Sequence, residues 1–198
     1  CDGRLPGVTV VFGGAVILGT RARKTYSKSF GAFSSINYPV LGVVQEGRLV
    51  PYILPPAGPA PRFFHALNQR VSLVKLIPGL SPAYLAFAES DGVLVESFGV
   101  GGVPAGDQGQ FYDLIRQAVD QGKIVVVTTQ VQNEGSDLAV YNVGHRLKRD
   151  LGVLESYDMT IEAAVAKLMW ALAQTRDSRA VAALFYTPVA QDILSRPE

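Results

Sequence analysis

The clearest candidates for chemistry in this chain are three cations set close to an apolar run. Arg21, Arg23 and Lys24 follow Val8-Thr-Val-Val-Phe-Gly-Gly-Ala-Val-Ile-Leu18 after a single Gly-Thr step. A lysine placed there is either a solvated loop charge or a cation held beside a reacting group. Chemistry alone favours the solvated reading, because most loop lysines are hydrated. Arg21 and Arg23 could flank an anion, but a solvated or salt-bridged role is the commoner fate of such arginines. Two further stretches could carry a site. Gly99-Val-Gly-Gly102 follows an apolar segment, and glycines let another backbone or a ligand approach closely. The alternative there is a tight strand-to-helix turn, and the spacing is not that of a dinucleotide fingerprint. Thr128 to Asp137 is a long polar stretch leading to Tyr141, and long polar loops at strand ends often carry function. Tyr141 itself is ambiguous, since a lone tyrosine usually packs with its hydroxyl satisfied. His65 and His145 have no cysteine or acidic partner at ligand spacing, so no metal is expected. Ser35 lacks a Gly-x-Ser-x-Gly elbow.

The elements that must position these residues follow from pattern. Gly7 to Gly19 is β-branched and apolar around Gly13-Gly14, which predicts a strand, a turn and a second strand. Residues 20–39 are polar and predict a surface loop, and Val40 to Val44 a last short strand. Residues 51–61 hold five prolines in eleven positions, which removes donors and fixes φ, so 51–69 is expected to be an extended linker. Strands are then expected over Val71–Ile77, Gly92–Phe98 and Lys123–Thr128. A short helix is expected from Ser81-Pro82 to Glu89. Phe111, Leu114, Ile115, Ala118 and Val119 are spaced three and four apart and predict an amphipathic helix over Gln108–Gln121. Thr160 can cap a helix running to Gln174, with Ile161, Val165, Leu168, Met169 and Leu172 as its stripe. Two short helices are expected near 178–185 and 187–195. The alternation of strand and helix predicts an open parallel sheet with helices on both faces, and ligand sites in such sheets lie beyond the carboxyl ends of the strands.

Composition bounds the function. The 198 residues are 48 % hydrophobic and 18 % charged, which is the balance of a packed domain rather than a disordered one. A net charge of +1 gives no electrostatic case for nucleic acid. The apolar runs are too short and too interrupted to span a bilayer. Cys1 is the only cysteine, which excludes an intrachain disulfide and fits a reducing compartment.

Taken together, five segments resemble the bacterial L-asparaginase family. Gly19-Thr-Arg-Ala-Arg-Lys24-Thr25 resembles its Gly-Asn/Thr-Arg-x-x-Lys segment, and Ser35-Ile-Asn37-Tyr38-Pro39 its Ser-x-Asn-Tyr-Pro segment. Asp91 to Pro104 looks like the family's stretch ending in Gly-Val-Gly. Val126-Val-Thr-Thr-Gln130 looks like its Thr-Gln strand end, and Tyr157-Asp-Met-Thr160 like its Asp-Met-Thr helix start. The flavour is that of the type I, cytoplasmic branch. The family's Thr-Gly-Gly-Thr and Thr-Asp motifs, which hold its nucleophilic threonines, have no counterpart here, and full-length relatives are longer.

The resemblance therefore implies the C-terminal portion of an asparaginase. Residues 1–50 would be the end of the N-terminal catalytic α/β domain, 51–69 the linker, and 70–198 a flavodoxin-like parallel-sheet C-terminal α/β domain. It implies hydrolysis of L-asparagine to L-aspartate and ammonia without a cofactor, in the cytoplasm. It further implies a homodimer or homotetramer with sites between subunits and no nucleic-acid or membrane partner. Lys24 would belong to a Thr-Lys-Asp relay, and Gly101, Gly102 and Tyr141 would contact substrate, Tyr141 in trans. Gly102 stands where many members carry asparagine, so one side-chain contact is absent. Two other readings fit the same residues: the asparaginase-like subunit of Glu-tRNA(Gln) amidotransferase, and a non-catalytic fragment kept for assembly. The chain by itself is expected to be inactive, because Lys24 would have no nucleophile to serve.

Overall fold

A computed structural model describes residues 5, 7–56, 60, 62–81, 85, 87, 89–104 and 109–195. The first fifty residues form antiparallel structure. β1 (Thr9–Phe12) and β2 (Ala15–Leu18) make the expected hairpin around Gly13-Gly14, and β5 (Gly42–Gln45) and β6 (Arg48–Pro51) extend it in the order β1-β2-β5-β6. Pro51 is tolerated because β6 is an edge strand. Residues 20–39 are not simply a surface loop. A 3₁₀ turn (Gly19–Arg21) leads into β3 (Ala22–Lys24), which pairs with β4 (Phe33–Ser35) in a second hairpin. The polar side chains that suggested a loop are tolerated because this ribbon has only two strands. The core beneath the larger sheet is small: Val16, Leu18 and Leu41, with Leu5, Tyr38, Leu49 and Ile53 against them.

From residue 71 onward the chain is a parallel α/β layer. β7 (Val71–Lys75), β8 (Gly92–Ser97), β9 (Ile124–Thr129) and the two-residue β10 (Leu154–Glu155) line up in sequence order, all parallel. Every residue of β8 and β9 is buried, as continuous apolar strands between helical layers must be. Val93, Val95, Val125 and Val127 face one layer, where Phe111 and Ile115 of α1 (Gln110–Asp120) and Leu147 of α2 (Asn142–Leu151) close the core. Leu94, Val126 and Leu154 face the other, against α3 (Ile161–Gln174) and α4 (Ser178–Tyr186). Each fully buried Leu or Phe in these layers contributes about 1.5–3 kcal/mol of transfer free energy.

Helix α3 begins where its cap predicts: the Thr160 hydroxyl accepts the Ala163 N–H at 3.1 Å. Its buried stripe is Ile161, Ala164, Lys167, Leu168, Ala171 and Leu172, with Val165 and Met169 only partly covered. Two expected helices differ. Residues 81, 85, 87 and 89 lie in no helix, while the remainder of that stretch falls outside the described residues. Residues 187–195 form an irregular strap rather than a helix, with Ala190 and Gln191 both at positive φ. The strap is tied down by buried charge: the Lys167 ammonium lies 2.8 Å from the Asp192 carboxylate and donates to the Thr187 carbonyl at 2.7 Å. Burial pulls the Lys167 pKa below the ordinary lysine value despite that partner.

Candidate active site

At the carboxyl ends of β8 and β9 the two suspected loops brace each other. Phe98 and Gly102 exchange backbone hydrogen bonds at 2.8 and 2.7 Å, so Gly99–Gly102 is a tight turn. Gly101 sits at φ +154, and a Cβ there would press on Leu138 Cδ2 at 3.0 Å. The requirement for glycine at 101 is thus met by packing against the second loop. That loop, 130–141, is held from several sides. The Asp137 N–H donates to the Val100 carbonyl at 2.6 Å. The Ser97 hydroxyl donates to Thr128 O, and the Thr129 hydroxyl donates to Gly99 O in a short contact. Gln130 Nε2 donates to the carbonyls of Leu76 and Glu96.

Beyond β10, the fully buried Glu155 carboxylate accepts the Leu138 N–H at 2.9 Å and the Lys148 ammonium at 3.1 Å, and Lys148 also donates to Tyr157 Oη at 2.6 Å. Burial disfavours the Lys148 cation, but its hydrogen bonds to Tyr157 and Glu155 outweigh this and hold its pKa above the ordinary value. Tyr186 Oη accepts the Glu155 N–H at 2.9 Å, and burial pushes its phenol up to about 12. The loop ends at Tyr141, which precedes α2 and keeps 51 % of its surface exposed. A small apolar groove of about 260 Å3, lined by Ile77, Pro78, Gly79, Phe98 and Pro104, adjoins the turn.

Lys24 occupies the exposed end of β3, and its side chain makes no hydrogen bond or ion pair with any described residue. The two neighbouring arginines are committed elsewhere. Arg23 lies 3.5 Å from Glu162 in the first turn of α3. Arg21 is completely buried: Nε donates to Gln191 O at 2.6 Å, Nη1 to Asp158 O at 2.7 Å and Nη2 to Asp158 Oδ2 at 2.8 Å. Its guanidinium also lies 5.7 Å from the Tyr38 ring. The Asp158 carboxylate in turn accepts the N–H groups of Leu194 and Ser195. Asn37 joins the same junction, donating to Asp158 O and accepting the Glu134 N–H. Thr160 donates to Thr20 O, and Thr20 to Ala190 O.

The predicted site residues thus fall into two groups. Gly101 and Gly102 are brought against the loop that leads to Tyr141, and Lys24 stands apart on the hairpin, with no hydrogen bond linking it to them. What joins the groups is the Arg21–Asp158–Asn37 junction. The salt-bridged alternative expected for Arg21 is the one found, but its partner Asp158 and the part played by Asn37 were not foreseen. Among the described residues no group of three His, Cys, Asp or Glu side chains could hold a metal, and no helix is long and apolar enough to cross a membrane.

Comparison with known proteins gives the following. The family described as Glutaminase/Asparaginase C-terminal domain matches residues 70–185, and Asparaginase, N-terminal matches residues 1–54. The L-asparaginase of Thermococcus kodakarensis is 37 % identical over 191 residues, covering 95 % of this chain and 57 % of that protein. The D component of the Glutamyl-tRNA(Gln) amidotransferase of Methanopyrus kandleri is 32 % identical over 210 residues, covering 97 % of this chain and 45 % of that protein. The thermostable T. kodakarensis L-asparaginase structure superposes with a TM-score of 0.88 at 36 % identity, covering 96 % of this chain and 58 % of that one. L-asparaginase I from Vibrio cholerae superposes at 0.78 with 27 % identity, covering 95 % and 57 %. The chain therefore spans about half the length of these relatives.

Proposed function

This chain belongs to the asparaginase family, and from that membership we propose that the complete protein hydrolyses the side-chain amide of L-asparagine to L-aspartate and ammonia. The supporting observation is the hairpin that offers Lys24. Of the three cations in its segment, Arg21 and Arg23 are paired with Asp158 and Glu162, and Lys24 is left without a partner among the described residues. A threonine hydroxyl from outside these 198 residues attacks the amide carbon. A threonine is a poor nucleophile unless a neighbour takes up its proton or steadies its alkoxide. Lys24 serves the relay in one of those two ways, as an amine accepting the proton or as a cation beside the alkoxide. Loss of ammonia leaves an ester to that threonine, and water then releases aspartate.

Gly101, Gly102 and Tyr141 supply the substrate-side surface, and the half-exposed position of Tyr141 suits a contact donated to a neighbouring protomer of a dimer or tetramer. On the same reading the enzyme is of the type I kind and works in the cytoplasm. The 198-residue chain alone is inactive on this reading, since Lys24 has no nucleophile to serve.

A second reading is favoured by the relatives among glutamyl-tRNA(Gln) amidotransferases. In it the same chemistry releases ammonia for a partner enzyme. The two separate on one assay: steady turnover of free L-asparagine supports the first, and turnover only with Glu-tRNA(Gln) and a partner protein supports the second. A non-catalytic assembly role would show neither. The decisive variant is Lys24→Met in the complete protein. It is expected to lower kcat on the order of 10²-fold with a much smaller change in KM, as for a group acting chiefly in the transition state. Near-normal kcat would make Lys24 a loop charge.

A further inference from the structure

We propose that Asn37 is the positioning residue that fixes loop 130–141, and with it the substrate side of the site, to the hairpin bearing Lys24. In its kinetic part this rests on the asparaginase reading. Asn37 follows β4, and the neighbouring Ile36 N–H donates to Arg21 O at 2.9 Å, so its backbone moves with the hairpin. Its side chain bridges two segments far away in sequence. Oδ1 accepts the Glu134 N–H at 2.8 Å, and Nδ2 donates to the Asp158 carbonyl at 3.0 Å. One partner is a donor and the other an acceptor, so the amide has a single satisfied orientation.

The backbone on both sides is shaped for this bridge. Asn37 sits at φ +53, a left-handed conformation that asparagine tolerates better than most residues. Glu134 is also left-handed at φ +75, and Gly135 after it lies against the Tyr157 carbonyl, which a Cβ would strike. Ser136 N–H then donates to that same carbonyl at 3.0 Å. The loop is therefore pinned at 134 by Asn37, at 136 by Tyr157, at 137 by Val100 and at 138 by Glu155, three residues before Tyr141. Of these four tethers only Asn37 comes from the hairpin that carries Lys24. Without it, the loop and the lysine would be referenced to each other through Arg21 and Asp158, Arg23 and Glu162, and Thr20 with Thr160 and Ala190, none of which hydrogen-bonds to the loop itself.

Two substitutions test the role in the complete protein. Asn37→Gly keeps the left-handed backbone available and removes both side-chain bonds. Asn37→Asp keeps the Oδ1 acceptor for Glu134. Hydrogen–deuterium exchange read by mass spectrometry on peptides spanning 130–137 should rise on the order of 10-fold in Asn37→Gly, with the β8 and β9 peptides unchanged. KM for L-asparagine should rise by roughly 10-fold while kcat stays within about threefold, because Lys24 remains held through Arg21. Asn37→Asp keeps the bond to Glu134 but sets a carboxylate oxygen against the Asp158 carbonyl in place of the Nδ2 donor, so it should fall between the native protein and Asn37→Gly in both loop protection and affinity. Unchanged protection of 130–137 in Asn37→Gly overturns the proposal. So does exchange raised equally everywhere, an Asn37→Asp variant as impaired as Asn37→Gly, or failure of Asn37→Gly to fold at 25 °C, each of which marks a merely structural residue. If the unsubstituted protein does not turn over asparagine, the asparaginase reading fails, and the exchange pattern alone decides the role of Asn37.

Discussion

Replacing Arg21 by methionine removes the charge at the centre of the junction and keeps most of the side-chain volume. Arg21 is 0 % exposed, and all three hydrogen bonds of its side chain cross to residues 158 and 191. Removing one member of a buried ion pair costs about 3–5 kcal/mol, because the other charge stays buried and unpaired. The two ends of this pair differ. Without Arg21, the Asp158 carboxylate keeps the Leu194 and Ser195 N–H groups and an 11 % exposed side chain, so Arg21→Met belongs at the lower end, about 3 kcal/mol. Asp158→Leu strands a fully buried guanidinium and frees two backbone donors, so it belongs near 5 kcal/mol. The double variant leaves no unpaired charge and should cost clearly less than the sum of the singles, with a coupling of about 2 kcal/mol or more. Urea midpoints of the complete protein and its three variants give the cycle. Additive effects, or an Arg21→Met cost below about 1 kcal/mol, would refute the view that this pair binds the antiparallel part of the chain to the parallel sheet.

Two further outcomes follow from other contacts. The Tyr186 phenol titrates near 12 when folded, against 10.0 ordinarily. Its share of stability is complete below pH 10 and is lost as pH rises through about 12, a change of about 2–3 kcal/mol. Urea midpoints between pH 9 and pH 12 should therefore fall more steeply for the native chain than for Tyr186→Phe, and equal slopes would refute the assignment. If Tyr141 acts across a subunit interface, mixing Lys24→Met subunits with Tyr141→Ala subunits should restore activity, up to one working site per mixed dimer. Mixed dimers verified by mass spectrometry but without recovery would place Tyr141 in cis or in packing.

The parts legible in the sequence were those in which one segment carries the whole signal. Helix α3 announced both ends, through the Thr160 cap and an apolar period of three and four. Strands β8 and β9 were legible as continuous apolar runs because both faces are covered. Helix α2 was not, since Asn142–Leu151 contains Gly144 and the polar series His145, Arg146, Lys148, Arg149 and Asp150, leaving Leu147 as its one fully buried large side chain. The hairpin β3–β4 was hidden because Arg23, Lys24, Ser34 and Ser35 resemble loop residues until their cross-strand partners are known. The family motifs marked segments that meet at the Arg21–Asp158–Asn37 junction but not the contacts each residue makes there. Lys24 was singled out as the relay lysine, whereas the junction of Arg21, Asn37 and Asp158 depends on contacts between residues 97 to 170 positions apart, a distance no local pattern reports.

Those separations bear on the order in which the molecule can mature. Arg21 reaches Gln191, and Thr20 reaches Ala190, across 170 residues of chain. Segments fold as they emerge during synthesis, and a closure over so long a loop comes after the local pairings have formed. The hairpins of the first fifty residues and the parallel sheet can each begin to form on the ribosome. The guanidinium of Arg21 cannot be fully satisfied until the strap at 187–195 has been made and laid down. Until then a cation destined for complete burial stays hydrated, and the surface around it stays wet. Full burial of Arg21 thus waits on the strap, and docking of the two parts of the chain includes the dehydration of this one arginine.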